Sequence, residues 1–418
     1  MTDSSFYKLQ NGNTNDLIVA FSAATVPKGK FSFSSVLATS RSNVLYLNCP
    51  HNSWYINKLD EDEADFEYYK NIIKNVIEKK NITHTTFFGG SMGAYGALLY
   101  GALFNADVIH CFGLEYELFT PHSNSKKYFI TKPDIIVPDL SHFLASSKFK
   151  SLNLFYGERC IVDLYQSSLI PAMDRINKYP LRDLTHSIPP SLIERFDIAE
   201  ALDNKDLHSK VLNFFHVGDS INEKKHIIYR VVYKAYVELE SGYSSQLTIN
   251  QLKASIANTD SCSLKFLCMA YLGLLLERTS PLKSLELLNN VKSNSPHISE
   301  IYPSLIRLGR ISSIDYSLEI SEFALQFHKP MQLDLQIDIL YQHSLNLFRK
   351  KKFEEVIEPA LEFHRYRKNH NHIKYMLAIS FLELNDYESA LKYSPALEVL
   401  KETPMYGGLL KQLNGVDE

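Results

Sequence analysis

The sequence predicts an α/β fold with a mainly parallel sheet and helices on both faces, followed by an all-α region of helical repeats. Three observations predict this. Up to about residue 240, short apolar runs alternate with helical stretches, which is typical of parallel strands joined by crossover helices. After His216 the β-type runs stop. Further along, a pattern recurs with a period of 34 residues, which favours stacked helical hairpins.

Seven segments have the apolar, β-branched and aromatic character of strands. A weaker edge strand comes first, and the set is Phe6–Gln10, Leu17–Ser22, Asn43–Asn48, Thr85–Gly89, Val108–Phe112, Leu152–Tyr156 and Val211–Phe215. Helices are expected in the intervals. Between Asp62 and Lys80, apolar residues recur at spacings of three and four, which predicts a helix with one apolar stripe facing the sheet.

A small, polar segment at residues 240–250 marks a domain boundary, so we expect domains at 1–240 and 241–418. In the second, the segment beginning at Tyr341 aligns with the segment beginning at Tyr375, 34 positions on. This period and the alternation of large, small and aromatic residues resemble tetratricopeptide hairpins. A plain helical bundle without a binding groove is the alternative.

Composition excludes several function classes. The 418 residues include 44 basic and 47 acidic side chains, for a formal net charge of -3, with no long basic tract that would bind nucleic acid. The chain begins without a signal-peptide pattern, and nowhere do about eighteen apolar residues run together, so we expect a cytoplasmic protein. The five cysteines form no Cys-x-x-Cys pair, which favours reduced core thiols over a metal site.

The segment TTFFGGSMGAYGALL, starting at Thr85, has the pattern of a nucleophile elbow. Such an elbow places a serine on a tight turn between strand and helix, and glycines two residues before and after it avoid a collision. Gly89 and Gly93 fill those positions, which makes Ser91 the candidate nucleophile. The segment matches neither a dinucleotide fingerprint nor a phosphate-binding loop, because the required second glycine and the Gly-Lys-Ser/Thr sequence are absent.

A serine hydroxyl needs a base, and the base needs an orienting acid. Asp163 follows the strand in LNLFYGERCIVDLY and is the predicted acid, with Glu158 as runner-up. His216 ends the apolar run VLNFF, where a parallel sheet would collect its active-site residues, and is the predicted base. His186 and His208 are its competitors.

The oxyanion hole is expected to combine the backbone N–H of Met92 with that of Ser22 or Ala23, which follow an earlier strand. Another strand end on the same sheet edge supplies candidate substrate-binding residues. These are His51, Trp54 and Tyr55, although burial in the core is at least as reasonable for Trp54.

The elbow, Asp163 and His216 occur in the order found in the α/β-hydrolase superfamily. In detail, the WY pair, GSMGAYGALLYG, the YG…D segment and the late histidine are similar to serine-dependent acyltransferases of bacterial surface glycans, including capsule polysaccharide O-acetyltransferases. This resemblance implies that acetyl-CoA donates an acetyl group through an acyl-serine to a polysaccharide hydroxyl, with no permanently bound cofactor. It assigns Ser91 as nucleophile, His216 as base and Asp163 as orienter.

The helical repeats suggest further partners and alternatives. They could hold the polysaccharide or dock other capsule-synthesis proteins, which is compatible with a position peripheral to the inner membrane. An esterase or deacetylase using the same triad is the rival enzyme. A scaffold with a catalytically inactive first domain is the third hypothesis.

Overall fold

The computed structural model divides the chain into two units, Met1–Gln251 and Leu252–Glu418. The description below covers residues 5–56, 64–129, 137–182, 184–218, 223–327 and 333–393.

The first unit is built on a seven-stranded sheet with the order β1-β3-β2-β4-β5-β6-β7. Only β1 runs antiparallel, along β3, and every other neighbouring pair is parallel. The strands are β1 (Tyr7–Gln10), β2 (Asp16–Phe21), β3 (Asn43–Leu47), β4 (His84–Gly90), β5 (Val108–Phe112), β6 (Ser151–Gly157) and β7 (Ile176–Leu181). The predicted α/β fold class with a mainly parallel sheet is confirmed.

The last strand differs from the prediction. Val211–Phe215 does not form a strand, because residues 207–214 make a helix in which Leu207 and Val211 are buried and residues 212–214 are exposed. The edge of the sheet is formed instead by β7, whose sequence INKYPL is too polar to have been recognised as a strand. This exchange decides which histidine lies at the active edge of the sheet.

Helices cover both faces of the sheet, as its buried strands require. They are α1 (Phe66–Lys79), α2 (Met92–Leu103), α3 (Asn124–Tyr128), α4 (Leu140–Ser146), α5 (Ile161–Leu169), α6 (Ile188–Ile193), α7 (Ile198–Asp203), α8 (Leu207–Phe214) and α9 (Glu223–Glu240). One core lies beneath α1, α2 and α4, and the other beneath α6, α7 and α8. The predicted helix at 62–80 corresponds to α1, and residues 62 and 63 lie outside the described residues.

Helix α9 packs along α5. The ring of Tyr233 stacks on that of Tyr165 with centroids 3.9 Å apart, and its hydroxyl donates to Pro121 O at 2.6 Å. The helix that carries Asp163 is therefore supported from its outer side.

The second unit is helical throughout the residues described. After α10 (Gln246–Asn258), which crosses the division between the units, come α11 (Cys262–Leu276), α12 (Pro281–Asn294), a short 3₁₀ turn (Ser299–Ile301), α13 (Tyr302–Ser312), α14 (Ile314–Phe327), α15 (Leu333–Arg349), α16 (Phe353–Tyr366), α17 (Asn371–Glu383) and α18 (Tyr387–Tyr393).

Consecutive helices of this unit pack as hairpins. Helix α18 begins at Tyr387, 34 residues after α16 begins at Phe353, so the sequence period is the period of the hairpins. Residues 394–397 of the predicted second copy lie outside the described residues. The helical-repeat prediction is confirmed. None of the helices described is both long and apolar enough to cross a membrane.

Candidate active site

Ser91 occupies a strained turn between β4 and α2. Its backbone has φ 55° and ψ -121°, a conformation that residues other than glycine rarely adopt. Its N–H donates to Phe112 O at 2.8 Å, which ties the turn to the next strand. A Cβ atom at Gly89 would overlap the backbone of Gly93, and one at Gly93 would overlap Phe21 O. The flanking glycines are therefore required by backbone contacts on both sides of the serine.

His186 is the histidine that reaches the nucleophile. Its Nε2 lies 2.9 Å from Ser91 Oγ, and its Nδ1 lies 2.8 Å from Asp163 Oδ1. Asp163 is in the first turn of α5, directly after β6, and is almost fully buried. The three groups form one continuous path along which a proton can pass from the hydroxyl to the imidazole while the carboxylate fixes the tautomer.

His216 does not take part in this arrangement. It is exposed beyond the end of α8, and its backbone carbonyl accepts from the N–H of Arg182, while Val217 bridges Leu181. These contacts hold His216 against the edge strand β7 through its backbone. The predicted base is corrected to His186, because the strand expected before His216 is a helix.

The positional rule that selected His216 remains sound, since it looks for a histidine after the last strand. The last strand is β7, which ends at Leu181, and His186 follows five residues later. The other competitor, His208, lies in α8 and lines a different cavity.

Glu158, the alternative acid, points elsewhere. Its Oε2 lies 3.7 Å from the guanidinium Nε of Arg182, and its other oxygen crowds Gly218. The carboxylate that contacts the imidazole belongs to Asp163.

Two opposing effects act on the imidazole of His186. Burial lowers its pKa, but the adjacent Asp163 carboxylate, through its charge and its hydrogen bond, raises the pKa more strongly. The net pKa of His186 lies well above its usual 6.5. Burial also raises the pKa of the Cys160 thiol, so this cysteine is a neutral neighbour rather than a second nucleophile.

Cys160, Asp163 and His186 place their sulfur, oxygen and nitrogen atoms within 4.8 Å of one another. This donor set could hold a soft divalent cation such as Zn²⁺. However, the two nitrogens of His186 already face Ser91 and Asp163, so a metal at this place would compete with the proton path.

The structure adds a polar side chain that the sequence analysis missed. Asn124 Nδ2 lies 2.8 Å from His186 Nε2 and 3.4 Å from Ser91 Oγ, so the amide bridges base and nucleophile. The buried carboxylate of Glu115 accepts from the backbone N–H groups of Asn124 and Ser125, which fixes the start of α3. Burial raises the pKa of Glu115.

The sequence of this loop predicts little about Asn124. Ser123 is of a residue type that favours a helix N-cap, and Asn124 is simply the residue that follows it. Nothing in the local pattern indicates that the loop after β5 folds back over the elbow. The contact between Asn124 and His186 joins residues 62 positions apart and is a property of the tertiary structure.

The three predicted oxyanion-hole donors differ in what their backbone N–H groups already contact. Met92 is the first residue of α2, a position whose N–H has no acceptor within the helix. Ser22 is not available, because its N–H donates to Leu47 O at 2.9 Å as a continuation of the sheet. The N–H of Ala23 donates to the hydroxyl of Ser32 at 3.2 Å, an acceptor that would have to be displaced by a substrate oxygen.

Trp54 and Tyr55 are core residues rather than lining residues of a substrate pocket. Trp54 is fully buried and stacks on Phe129 with centroids 5.6 Å apart, which removes its ring from any sugar. Tyr55 is also fully buried, and its hydroxyl donates to Ser22 O at 2.8 Å. His51 is exposed on the loop after β3. The predicted substrate role is therefore corrected for Trp54 and Tyr55.

No family model matches the sequence, and no curated protein does. Among solved structures, MamA of AMB-1 is 15% identical over 45% of this chain and 97% of its own, with a TM-score of 0.33. MenH from S. aureus is 12% identical over 50% of this chain and 98% of its own, with a TM-score of 0.31. XC6422 from Xanthomonas campestris, an a/b serine hydrolase without lid, is 11% identical over 50% and 88%, with a TM-score of 0.30. The strand order and the elbow of the present chain establish its α/β-hydrolase-like fold without them.

Proposed function

We propose that this chain is a serine-dependent acyl-transfer enzyme that forms an acyl intermediate on Ser91. The supporting observation is the continuous hydrogen-bonded path from Ser91 Oγ through both nitrogens of His186 to Asp163. A serine hydroxyl becomes a useful nucleophile only when such a base removes its proton during attack. The strained turn at Ser91 and the N-terminus of α2 beside it also support this proposal, because such a terminus can stabilise the oxyanion formed when the serine attacks.

In the first half of the reaction, Ser91 Oγ attacks the acyl carbon as its proton passes to His186 Nε2. The negative charge that develops on the carbonyl oxygen faces the Met92 N–H and the N-terminus of α2. Asp163 stabilises the imidazolium, which then gives the proton to the leaving group as the bond to that group breaks. The product of this half is an ester on Ser91.

In the second half, an acceptor hydroxyl gives its proton to His186 and attacks the ester carbon. The tetrahedral intermediate collapses, Ser91 Oγ recovers the proton from His186, and the acylated acceptor leaves. Asn124 Nδ2 lies within hydrogen-bonding distance of both groups, so its amide can donate to Ser91 Oγ, and to His186 Nε2 whenever that nitrogen carries no proton.

The finer proposal is that acetyl-CoA is the donor and a hydroxyl of a capsular or other surface polysaccharide is the acceptor. It is supported by the similarity of GSMGAYGALLYG and the neighbouring motifs to capsule O-acetyltransferases. The stacked helical hairpins offer the kind of extended surface that a polymer or another capsule-synthesis protein would need.

Hydrolysis is the second candidate, and one observation favours it. The His186 side chain is 27% exposed, so water can approach the base directly. An esterase or carbohydrate deacetylase would follow the same first half and use water as the acceptor.

The test gives the purified chain acetyl-labelled acetyl-CoA with a panel of capsule-type glycans and follows label in protein, glycan and free acetate. Label in glycan supports the transferase, and labelled free acetate without glycan labelling supports hydrolysis of the acyl-serine by water. Ser91→Ala should remove both products and the labelling by a fluorophosphonate, whereas Ser209→Ala, at an exposed position in α8, should change neither. Full activity of Ser91→Ala would contradict the acyl-serine mechanism.

A further inference from the structure

A cavity lies at the amino ends of strands β4–β7, whereas Ser91 lies at the carboxyl end of β4. Its volume is about 360 Å³. It opens on the sheet face that carries α7 and α8, and residues from four neighbouring strands and from the α7–α8 turn line it. Ligand pockets span roughly 300–1,000 Å³, so this one suits a small molecule.

The floor of this cavity is polar where a parallel sheet is ordinarily apolar. His110, Asn153 and Asn177 are direct partners in the strand register and form a row across β5, β6 and β7. His110 and Asn153 are almost fully buried. Two residues further along, the same face carries Phe112 and Phe155, which stack with centroids 4.8 Å apart. The polar row is thus confined to the cavity.

The hydrogen bonds within this row all run the same way, with each donor on the strand nearer β7. Asn177 Nδ2 donates to Asn153 Oδ1 at 3.1 Å, and Asn153 Nδ2 donates to His110 Nδ1 at 3.4 Å. Burial, with a contribution from His208, lowers the pKa of His110 to about 3, so the imidazole is neutral. Because Nδ1 accepts a hydrogen bond, the proton of the neutral ring is on Nε2. The cavity wall therefore offers an N–H donor from His110 and an amide oxygen from Asn177.

The rim adds a positive charge, that of the Lys205 ammonium. Lys205 lines the cavity from the turn between α7 and α8, and His208 lines it from the first turn of α8. Among the described residues lining the cavity, none is aspartate or glutamate. Lys205 has φ 62° and its N–H donates to Leu202 O, which fixes its backbone at the end of α7. Its ammonium lies 3.3 Å from Asp16 and remains 44% exposed.

We propose that this cavity binds a small hydroxylated anion, of the class of sugar phosphates and sugar acids. The acidic group lies at the rim between Lys205 and His208, and the hydroxyls exchange hydrogen bonds with the row formed by His110, Asn153 and Asn177. The row can donate to a hydroxyl through His110 Nε2–H and accept from one through the Asn177 amide oxygen, whereas a hydrocarbon ligand could bond to neither group. This site is separate from the acyl-transfer chemistry proposed for Ser91.

Calorimetry on the whole chain would compare glucose 6-phosphate and gluconate with glucose and inorganic phosphate at one ionic strength. We expect at least one of the two hydroxylated anions to bind about tenfold more tightly than both glucose and phosphate, because each of the latter satisfies only half of the site. Absence of saturable binding by glucose 6-phosphate and gluconate up to about 10 mM would overturn the proposal. Equal binding of phosphate alone would overturn its hydroxyl-recognition part.

Variants locate the site. Lys205→Gln should weaken binding about tenfold, since it removes a permanent charge at an exposed position without leaving a cavity in the core. Lys210→Gln in α8 is its matched control.

Asn177→Leu should abolish binding, while Asn213→Leu, exposed on α8, should not. Binding must also persist in Ser91→Ala. Binding that survives both Lys205→Gln and Asn177→Leu, or that is lost in Ser91→Ala, would assign the ligand elsewhere and overturn the proposal.

Discussion

His186 and Ser91 are 95 residues apart in the chain, yet Nε2 lies 2.9 Å from Oγ, which places the imidazole to accept the proton of the hydroxyl in the proposed reaction. Asn124 approaches both groups from a third direction, and Asp163 holds the far side of the ring. Each of these side chains comes from the segment that follows a different strand. A small displacement of any one of the loops would therefore disturb the alignment of the hydroxyl and its base.

The two histidines can be compared directly by substitution. His186→Ala should lower the hydrolysis rate of p-nitrophenyl acetate by about 10⁴-fold, because the hydroxyl loses its base. His216→Ala should leave the rate within about twofold, since the exposed ring lies outside the triad and surface substitutions of this kind change free energies by about 0.5 kcal/mol or less. The opposite ranking would restore His216 as the base.

The pH profile should reflect the paired imidazole. His186 must be neutral to accept a proton, and its pKa is raised well above 6.5, so kcat/KM should rise with pH through that raised value. Asp163→Asn removes the charge that raises the pKa, so the limb should move to lower pH while the rate falls about 10⁴-fold. Glu158→Gln is the matched control and should leave the limb in place. An unchanged limb in Asp163→Asn would contradict the pairing.

The same pair also links stability to pH. A histidine whose pKa is raised on folding contributes stability that is fully present below its unfolded pKa of about 6.5 and is lost as the pH rises through the folded value. The pH range in which His186 becomes an effective base is therefore the range in which the pair stabilises the fold least.

At the scale of elements, α2 must lie close to the sheet for its N-terminus to face the acyl oxygen. A Cβ atom at Gly96 would lie 2.6 Å from Phe21 Cδ1 and 2.9 Å from Tyr55 Cδ2, two rings that are fully buried. The helix approaches β2 at a distance that only glycine permits at this position.

Gly96→Ala should therefore lower the free energy of unfolding by about 1–3 kcal/mol, although alanine is ordinarily the better helix former by about 1 kcal/mol. The matched control is Gly309→Ala in α13, where the added carbon would lie 3.3 Å from Ile320 Cδ1 and the helix propensity should dominate. Thermal unfolding measures both. Greater stability of Gly96→Ala would show that the rings can move aside.

The elements that the sequence predicted are those whose local pattern agrees with their final burial. The run VLNFF was mistaken for a strand, although Leu212 and Phe214 are 38% and 50% exposed in the folded chain. Strand β7 was missed because Asn177, Lys178 and Pro180 are unusual in a buried strand. They are tolerated because β7 is an edge strand and the Lys178 ammonium donates to two backbone carbonyls.

The candidate site shows the same division. Ser91 is recognisable because the turn that holds it demands a local pattern of glycines, and Asp163 because it closely follows a strand of ordinary composition. Predicting His186 requires knowing which strand is the last one. Predicting Asn124 requires knowing how the loop after β5 folds over the elbow, and no periodic pattern in the sequence indicates that.

At the scale of the whole molecule, the sheet of the first unit separates two kinds of polar site. Ser91, Asp163 and His186 lie where the strands end, and the His110, Asn153 and Asn177 row lies near where they begin. Apolar and aromatic side chains such as Phe112 and Phe155 occupy the face between. The two sites can therefore be altered independently, which is what the paired variants exploit.

Acidic and basic groups nearly balance over the whole chain, with a net charge of -3 at pH 7 and an isoelectric point of about 6.6. Solubility should pass through a minimum near that pH, because mutual repulsion between molecules is weakest there. Precipitation by polyethylene glycol across pH 5–9 would measure it. A minimum displaced by more than about one pH unit would contradict this expectation.

The left-handed backbone at Ser91 has an evolutionary consequence. A residue with a β-carbon is retained in that conformation only while selection for catalysis outweighs the gain in stability that glycine would bring, about 1 kcal/mol. Descendants of this chain that no longer carry out the reaction should therefore drift toward glycine at this position, long before the surrounding fold is lost. The residue at position 91 would then distinguish active enzymes from inactive homologues in a survey of genomes.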